Sequence, residues 1–261
     1  MSAAGAESEP AAGAELSAAA APLLTVRIDR KVYRRARTEP VEAVRDLAFS
    51  LRPAEITCLI GPSGAGKTTT LRILLGLDPD FEGAVTPDPN AVGIAMVFQD
   101  PRLLPWRTIE QNVRLGLPRA RRGRDLDGVF ESLGLTPWRG RFPGALSLGM
   151  QRRVALARAL ALEPRVLVLD EPFVSLDDNA AAGLRALVVE TVAQRGTSIL
   201  MVTHNVGEAL EIADRLLLVS ARPAHLLAAV PLDRPRGQRD RSFLEATRAD
   251  LAGRFPGVIA Q

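Results

Sequence analysis

Short apolar runs recur along the chain and are separated by longer stretches with the spacing of amphipathic helices. Runs of this length, bounded by polar and turn residues, are typical of strands that are buried on both faces of a sheet. The predicted strands are residues 24–28, 44–51, 56–60, 93–98, 166–169, 198–202 and 215–219. Because helical stretches separate most of these strands, the pattern predicts an α/β fold with a parallel sheet covered on both sides.

Other segments depart from this alternation and indicate how the chain is organised. Residues 1–22 are mostly Ala, Gly, Ser, Glu and Pro, so we expect a disordered tail. Residues from about 101 to 163 have helical periodicity and no strong strand, which predicts an inserted helical subdomain. The main domain is predicted to span residues 23–222. A carboxy-terminal extension, 223–261, follows it, and its mixture of Arg, Asp and Pro favours a solvated segment.

The composition limits the compartment and the partners. Cys58 is the single cysteine, so no internal disulfide can form and reducing cytosol is the expected compartment. No apolar run approaches the roughly 18 residues that span a bilayer, so we expect the protein not to enter a membrane by itself. The net charge is +3, and an arginine cluster at 119–124 is interpreted as a solvated loop. Nucleic-acid binding is the less favoured alternative.

One segment carries a specific chemical signature. Residues 61–68 fit the pattern G-x-x-x-x-G-K-[ST] between a predicted strand and an apolar helical stretch. In such a loop backbone N–H groups converge on phosphate oxygens, Lys67 neutralises the outer phosphates, and Thr68 offers a hydroxyl to Mg²⁺. A glycine-rich turn without a ligand is the alternative, which the flanking strand and helix disfavour. The candidate nucleotide-binding residues are Gly61, Pro62, Ser63, Gly64, Ala65, Gly66, Lys67, Thr68 and Thr69.

A pair of carboxylates follows the predicted strand 166–169. Ligands of open α/β sheets bind at the carboxyl ends of the strands, where Asp170 and Glu171 lie. Asp170 is the candidate Mg²⁺ ligand, and Glu171 is the candidate general base that polarises an attacking water. A helix cap is the alternative for an isolated Asp-Glu pair, and the phosphate-binding loop favours the catalytic interpretation.

Further motifs complete a recognisable series. They are Gln99 at the end of a strand, Leu-Ser-Leu-Gly-Met-Gln at 146–151, Ser-Leu-Asp at 175–177, and His204 after another strand. With the phosphate-binding loop and the carboxylate pair, they lie in the order found in ATP-binding-cassette (ABC) transporters. From about residue 33 to residue 225, the chain resembles the ATP-binding subunit of that family.

This resemblance implies a P-loop NTPase (RecA-like) core, with an amino-terminal antiparallel β subdomain and the inserted helical subdomain. It implies ATP and Mg²⁺ as cofactors. Gln99 would contact Mg²⁺ and the catalytic water while sensing the membrane partner. His204 would hold the γ-phosphate and the water polarised by Glu171, and a purely structural histidine is the alternative.

The resemblance also implies partners. Ser147 and Gly149 would bind the γ-phosphate held by a second ATP-binding subunit, with Asp177 between the two subunits of a head-to-tail dimer. Transmembrane permease subunits would bind directly and an extracytoplasmic solute-binding protein indirectly. The expected location is therefore peripheral, at the cytoplasmic face of the inner membrane, with no nucleic-acid partner.

Two further residues bear on the resemblance: one fits the family pattern and one departs from it. Tyr33, the only tyrosine, lies where the family places an aromatic ring on adenine, and packing at a strand edge is the alternative. Leu148 replaces the first glycine of the usual Leu-Ser-Gly-Gly signature. A Cβ there could restrict the backbone or crowd the incoming phosphate, so we expect reduced tolerance of the closed state with activity retained.

The cargo is indicated only by subfamily likeness. Residues 98–109, 170–177 and 220–223 resemble importers of nitrate, taurine and aliphatic sulfonates. Leu103, Leu104 and Trp106 form an apolar cluster, interpreted either as a docking site for the permease or as part of the helical subdomain's core. Two other functions are disfavoured: a soluble mechanical ATPase, by the short spacing between the motifs, and a non-hydrolysing regulatory module, by the intact site residues.

Overall fold

The computed structural model describes residues 21–34 and 39–259, so the predicted disordered tail falls almost wholly outside the described residues. Within this part the strands are β1 (Leu24–Tyr33), β2 (Val41–Leu51), β3 (Ile56–Ile60), β4 (Glu82–Thr86), β5 (Ile94–Val97), β6 (Val166–Asp170), β7 (Ser198–Thr203), β8 (Arg215–Val219) and β9 (Leu226–Pro231). The α-helices are α1 (Lys67–Leu74), α2 (Pro89–Val92), α3 (Ile109–Leu115), α4 (Asp127–Ser132), α5 (Leu148–Leu160), α6 (Asp178–Arg195), α7 (Val206–Ile212), α8 (Arg241–Arg254) and α9 (Pro256–Ile259).

The strands form two sheets. Strands β2, β1 and β4 make an antiparallel sheet in that order. The larger sheet has the order β5-β6-β7-β3-β8-β9; its first five strands are parallel, and β9 runs antiparallel to β8. The predicted fold class, a P-loop NTPase core with an antiparallel β subdomain and a helical subdomain, is confirmed by this architecture. Strand β3 lies between β7 and β8, so the loop that follows it opens at the middle of the sheet.

The parallel sheet separates two hydrophobic cores, because successive side chains of a strand point to opposite faces. In β3, Cys58 and Ile60 belong to the core that extends into the helical subdomain. Leu59, between them, belongs to the core shared with the antiparallel sheet. All five residues of β3 are buried, which explains why its sequence is a continuous apolar run rather than an alternating one.

The segment 101–163 contains α3, α4 and α5 and no strand, as the periodicity predicts. Its first loop is fixed by the fully buried Asn112 on α3. The amide oxygen of Asn112 accepts a hydrogen bond from the Leu104 N–H at 2.7 Å, and its NH₂ group donates to the carbonyls of Leu104, Arg107 and Thr108. The Asn112 amide therefore supplies hydrogen bonds to backbone groups of the loop that follows Gln99, where no helix or strand supplies them.

The residues of the apolar cluster in that loop differ in burial, so neither interpretation holds for all of them. Leu103 packs against the core that extends into the helical subdomain. The side chain of Trp106 is 69% exposed instead. Leu104 is half-buried, so Trp106 is the most exposed member of the cluster and its best candidate for a docking residue.

Residues 223–259 are not a solvated segment, and this expectation from composition is wrong. Strand β9 extends the large sheet. The core that extends into the helical subdomain also buries four residues of this segment: Leu232, Leu251, Val258 and Ile259. Two of the segment's arginines satisfy backbone carbonyls: Arg236 donates to the carbonyl of Ile212, and Arg239 donates to the carbonyls of Leu210 and Ala213 at the end of α7. Among the described residues, none of the helices has the length and apolarity that crossing a bilayer requires.

Candidate nucleotide-binding and hydrolysis site

The loop between β3 and α1 needs glycine at positions where neighbouring chain comes close. A Cβ on Gly61 would lie 2.5 Å from Cγ2 of Val219, and a Cβ on Gly66 would lie 2.5 Å from the carbonyl oxygen of Ala43. Gly66 also has a φ of 112°, which residues with a Cβ rarely adopt. The loop is therefore held between the end of β8 and the strand β2, and side chains at these glycines would push it out of place.

Strand β2 reaches the loop through a β-bulge. The pairing of β1 with β2 shifts between Lys31 and Val32, which leaves Ala43 without a partner in β1. The carbonyl of Ala43 instead accepts a hydrogen bond from the Ala224 N–H at 3.0 Å. This bulge joins the antiparallel sheet, the phosphate-binding loop and the turn after β8.

A cavity of about 620 Å³ opens beside the loop, a size typical of small-molecule sites. It brings together many of the predicted residues: Tyr33, Ser63, Gly64, Gly66, Lys67, Thr68, Thr69, Gln99, Asp170 and Glu171. Gly61, Pro62 and Ala65 belong to the loop but do not line the cavity. The side chains of Thr68 and Gln99 are exposed at its wall.

Lys67 is the first residue of α1 and its side chain is buried. Its Nζ donates hydrogen bonds to the carbonyls of Gly61 at 2.6 Å and Pro62 at 2.9 Å. Burial lowers the pKa of Lys67, and the carboxylates of Glu171 and Asp170 oppose this shift. Among the residues that the structure describes, no carboxylate lies within hydrogen-bonding distance of this cation, which fits a site for phosphate.

The two carboxylates stand at the carboxyl end of β6, as the sequence predicts. Burial raises the pKa of Asp170, and the nearby charge of Glu171 raises it further. A divalent cation would reverse both effects, since it stabilises the ionised carboxylate. Glu171 has a left-handed φ of 47°, an unusual conformation for a residue with a Cβ.

The Glu171 carboxylate is positioned by two side chains from the end of β7. Nδ1 of His204 lies 2.9 Å from Oε1 of Glu171, and the Thr203 hydroxyl donates to Oε2 at 3.2 Å. The backbone is also fixed, because the buried Arg152 of α5 donates to the carbonyl of Glu171 at 3.0 Å and to the carbonyl of Pro172. His204 therefore reaches the cavity through Glu171 rather than lining it.

Ser147, Gly149 and Asp177 do not line the cavity. Ser147 caps α5, with its hydroxyl accepting from the Met150 N–H, and Asp177 caps α6 by accepting from the Ala180 N–H at 2.8 Å. Gly149 allows α5 to approach α6, because a Cβ there would lie 3.0 Å from Cβ of Ala180.

The backbone concern about Leu148 is not met in the structure. Leu148 is the first residue of α5, it is not among the residues with positive φ, and its side chain is 39% exposed. A Cβ is therefore tolerated by the helix, and only crowding of a ligand beyond the helix end remains as an effect.

The cavity also has residues that the sequence motifs do not indicate. They are Glu39, Val41, Ala43 and Arg222. Arg222, in the turn after β8, donates through Nε and Nη2 to the Gly64 carbonyl at 3.2 and 3.0 Å. It braces the loop across 158 positions of sequence, a separation that no local pattern reveals.

A buried lysine in a glycine-rich loop, with two carboxylates at the carboxyl end of the parallel strand β6, defines a phosphate-binding-loop nucleoside triphosphatase. The donors also fit a triphosphate carrying Mg²⁺, because a hydroxyl, a carboxylate and an amide oxygen are the hard ligands that this ion prefers. Among the described residues, no group of three or more His, Cys, Asp or Glu side chains could hold a metal ion by itself. Mg²⁺ bound here would therefore take phosphate oxygens and water as its remaining ligands.

Comparison with known proteins identifies the family. The family model for ABC transporters matches residues 44–174. The chain is 40% identical over 245 residues to the aliphatic sulfonates import ATP-binding protein SsuB 2 of Burkholderia cenocepacia (strain HI2424), covering 90% of this chain and 88% of that protein. SsuB 1 of Pseudomonas savastanoi pv. phaseolicola is 40% identical over 221 residues, covering 84% and 90%. The protein belongs to the ABC transporter family and is an ATP-binding ATPase of that family.

Solved structures show the same fold. A dimeric, post-hydrolysis ATP-binding cassette bound to ADP and Pi has a TM-score of 0.68 at 25% identity, covering 81% of this chain and all of that one. CbiO1 from Clostridium perfringens, part of an ABC transporter complex, has a TM-score of 0.71 at 22% identity, covering 90% and 96%.

Proposed function

We propose that this protein is the ATP-hydrolysing subunit that powers import of a small solute of the aliphatic sulfonate type through a membrane permease. The observation that carries the proposal is the cavity in which Lys67, Asp170 and Glu171 converge. The proposed class of solute is supported by relatives named as aliphatic sulfonates import ATP-binding proteins, which are 40% identical over most of the chain. The proposed location is the cytoplasmic face of the membrane, since the permease holds the subunit there.

The proposed chemistry divides binding from hydrolysis. Lys67 and the loop N–H groups bind the outer phosphates, and Thr68, Gln99 and Asp170 hold Mg²⁺, which supplies positive charge to the phosphoryl oxygens when bound. Glu171 orients and deprotonates the attacking water, and His204 keeps the Glu171 carboxylate in place. Because Thr203 donates to the other oxygen, the carboxylate has one preferred orientation.

The proposed active form is a head-to-tail dimer. Ser147 and Gly149 lie outside their own cavity, at the exposed beginning of α5, where free N–H groups and the helix dipole favour an anion. A second copy would present its triphosphate to them, with Asp177 between the copies. ATP then stabilises the closed dimer only by as much as it binds that state more tightly than the open one.

The experiment is reconstitution of the chain with a candidate permease and solute-binding protein from the same organism, in liposomes that contain ATP and Mg²⁺. We expect uptake of a labelled alkanesulfonate and stimulated phosphate release, both lost in Lys67→Ala. Uptake of nitrate, or of taurine but not of unsubstituted alkanesulfonates, would change the proposed solute. Absence of nucleotide hydrolysis in the complete complex would contradict the proposal as a whole.

A further inference from the structure

A buried lysine lies against Tyr33, the cavity residue that the family resemblance places on adenine. Lys31 on β1 is 2% exposed, and its Nζ lies 2.7 Å from Oδ1 of Asp78, which is 8% exposed. Nζ also donates to the carbonyl of Asp80 and lies 3.3 Å from its carboxylate. Burial would lower the pKa of Lys31, but the hydrogen bonds to these acids outweigh it and raise that pKa above its ordinary value. The lysine is therefore a permanent buried cation.

The ion pair contacts Tyr33 in two ways. The Tyr33 hydroxyl donates to Oδ2 of Asp78 at 3.1 Å, so one carboxylate joins the lysine and the phenol. Nζ of Lys31 also lies over the Tyr33 ring, 4.7 Å from its centroid, a cation–π distance. Tyr33 lines the cavity, half-buried. With a cation on one face of the ring, a flat ligand can stack only on the other face.

The same contacts join the ring to the phosphate-binding helix. Asp78 follows α1, and its N–H bonds to the Arg72 carbonyl in that helix. The Tyr33 hydroxyl lies 3.3 Å from Oγ1 of Thr69, in the first turn of α1. The ring is thus tied to both ends of the helix that begins with Lys67, although it belongs to the other sheet. A single rigid unit sets the distance between ring and phosphates.

We propose that Lys31 and Asp78 are positioning residues that fix the Tyr33 ring as the stacking surface for a purine base. This inference rests on the proposed ATP site. Neither residue touches the nucleotide; they act through the ring. Loss of the pair leaves the ring free to turn on its Cα–Cβ bond, so stacking weakens while the phosphate contacts stay.

The test uses two ligands, Mg²⁺-ATP and Mg²⁺-tripolyphosphate, in calorimetric titrations of the full chain. Tripolyphosphate lacks base and sugar and reports the phosphate loop alone. The variants are Tyr33→Ala, Tyr33→Phe and the double change Lys31→Met with Asp78→Leu, which removes both charges and leaves neither buried alone. The matched control changes the exposed pair on the same strand, Arg27→Met with Asp29→Leu.

We expect the buried double variant to weaken ATP binding about tenfold, close to Tyr33→Ala, with tripolyphosphate binding unchanged. KM for ATP rises by a similar factor, while kcat is kept. Tyr33→Phe, which preserves the ring and the fold, shows a smaller loss of the same kind, and the Arg27/Asp29 control shows none.

Three results would overturn the inference. They are unchanged ATP affinity in the buried double variant, equal loss of ATP and tripolyphosphate affinity, or no effect of Tyr33→Phe in a case where the double variant does not fold. If the unmodified chain binds tripolyphosphate as tightly as ATP, the base site fails while the phosphate site stands. If it binds neither, the proposed function itself fails.

Discussion

At the residue scale, the conformation of Glu171 is informative. Its left-handed φ of 47° costs about 1–2 kcal/mol relative to an ordinary conformation. Arg152, Thr203 and His204 hold the residue there through its carbonyl and both carboxylate oxygens. Surrounding structure that maintains such a conformation is expected where the direction of a side chain matters, and here the carboxylate faces the cavity.

Replacing Glu171 by glutamine therefore tests catalysis separately from binding. Glutamine keeps the shape and accepts the Thr203 hydrogen bond, but it cannot take a proton from water. We expect kcat to fall by about 10²–10⁴, with ATP affinity retained. Phosphate release and equilibrium ATP binding measure the two quantities. A kcat within a few-fold of the parent would contradict the role of general base.

Leu148 gives a second prediction at this scale. It stands at the exposed start of α5 without backbone strain, so Leu148→Gly removes side-chain bulk at little cost to the fold. If the leucine crowds the incoming phosphate, ATP hydrolysis by the assembled transporter should rise. Melting temperature is the control, since it should change little. Hydrolysis that stays the same or falls would show that the leucine does not limit closure.

At the scale of elements, the phosphate-binding loop is fixed by two separate pieces of chain: the bulge in β2, and the end of β8 together with the turn after it that carries Arg222. Gly66 is constrained twice, because a Cβ there would lie 2.5 Å from the Ala43 carbonyl oxygen and would have to adopt a φ of 112°. Contacts of this kind transmit any shift of β2 directly to Lys67, the next residue.

Gly66→Ala should therefore destabilise the fold and weaken ATP binding by more than the backbone strain of its positive φ alone explains. The control is Gly76→Ala, at a left-handed φ of 69° with open space around it, which should cost about 1 kcal/mol and about 2–4 °C in melting temperature. We expect Gly66→Ala to lower the melting temperature further and to weaken ATP binding at least tenfold. Equal effects of the two changes would mean that the contact with Ala43 does not hold the loop.

These elements also mark what sequence can and cannot predict. Lys67 and Asp170 were predictable because the motifs that contain them are local, each within a few residues of a continuous apolar strand. Arg222 and the bulge at Ala43 were not, because they depend on pieces of chain about 158 and 181 positions apart meeting in space. The carboxy-terminal segment was misread since composition reports charge, whereas widely spaced residues such as Leu251 and Ile259 decide its packing.

At the scale of the whole molecule, the central sheet lies between two hydrophobic cores, and in the proposed dimer each copy contributes half of two sites. One face carries the cavity, and the beginning of α5 carries Ser147 outside it. Arg152, on the same helix, donates to the Glu171 carbonyl, so the surface proposed to meet a partner is connected to the residue proposed as general base. In the proposed dimer, closure on a second copy can therefore affect both nucleotide sites.

A mixed dimer tests this arrangement. Lys67→Ala removes phosphate binding, and Ser147→Glu places a carboxylate against the partner's phosphates while remaining compatible with a helix start. If sites are shared between copies, Lys67→Ala on one copy and Ser147→Glu on the other leave one site intact. Both changes on the same copy, paired with an unmodified one, damage both sites. We expect phosphate release well above background only when the changes are on different copies of the reconstituted transporter. The reverse ranking would mean that Ser147 acts within its own chain, since only then does the unmodified copy keep a complete site.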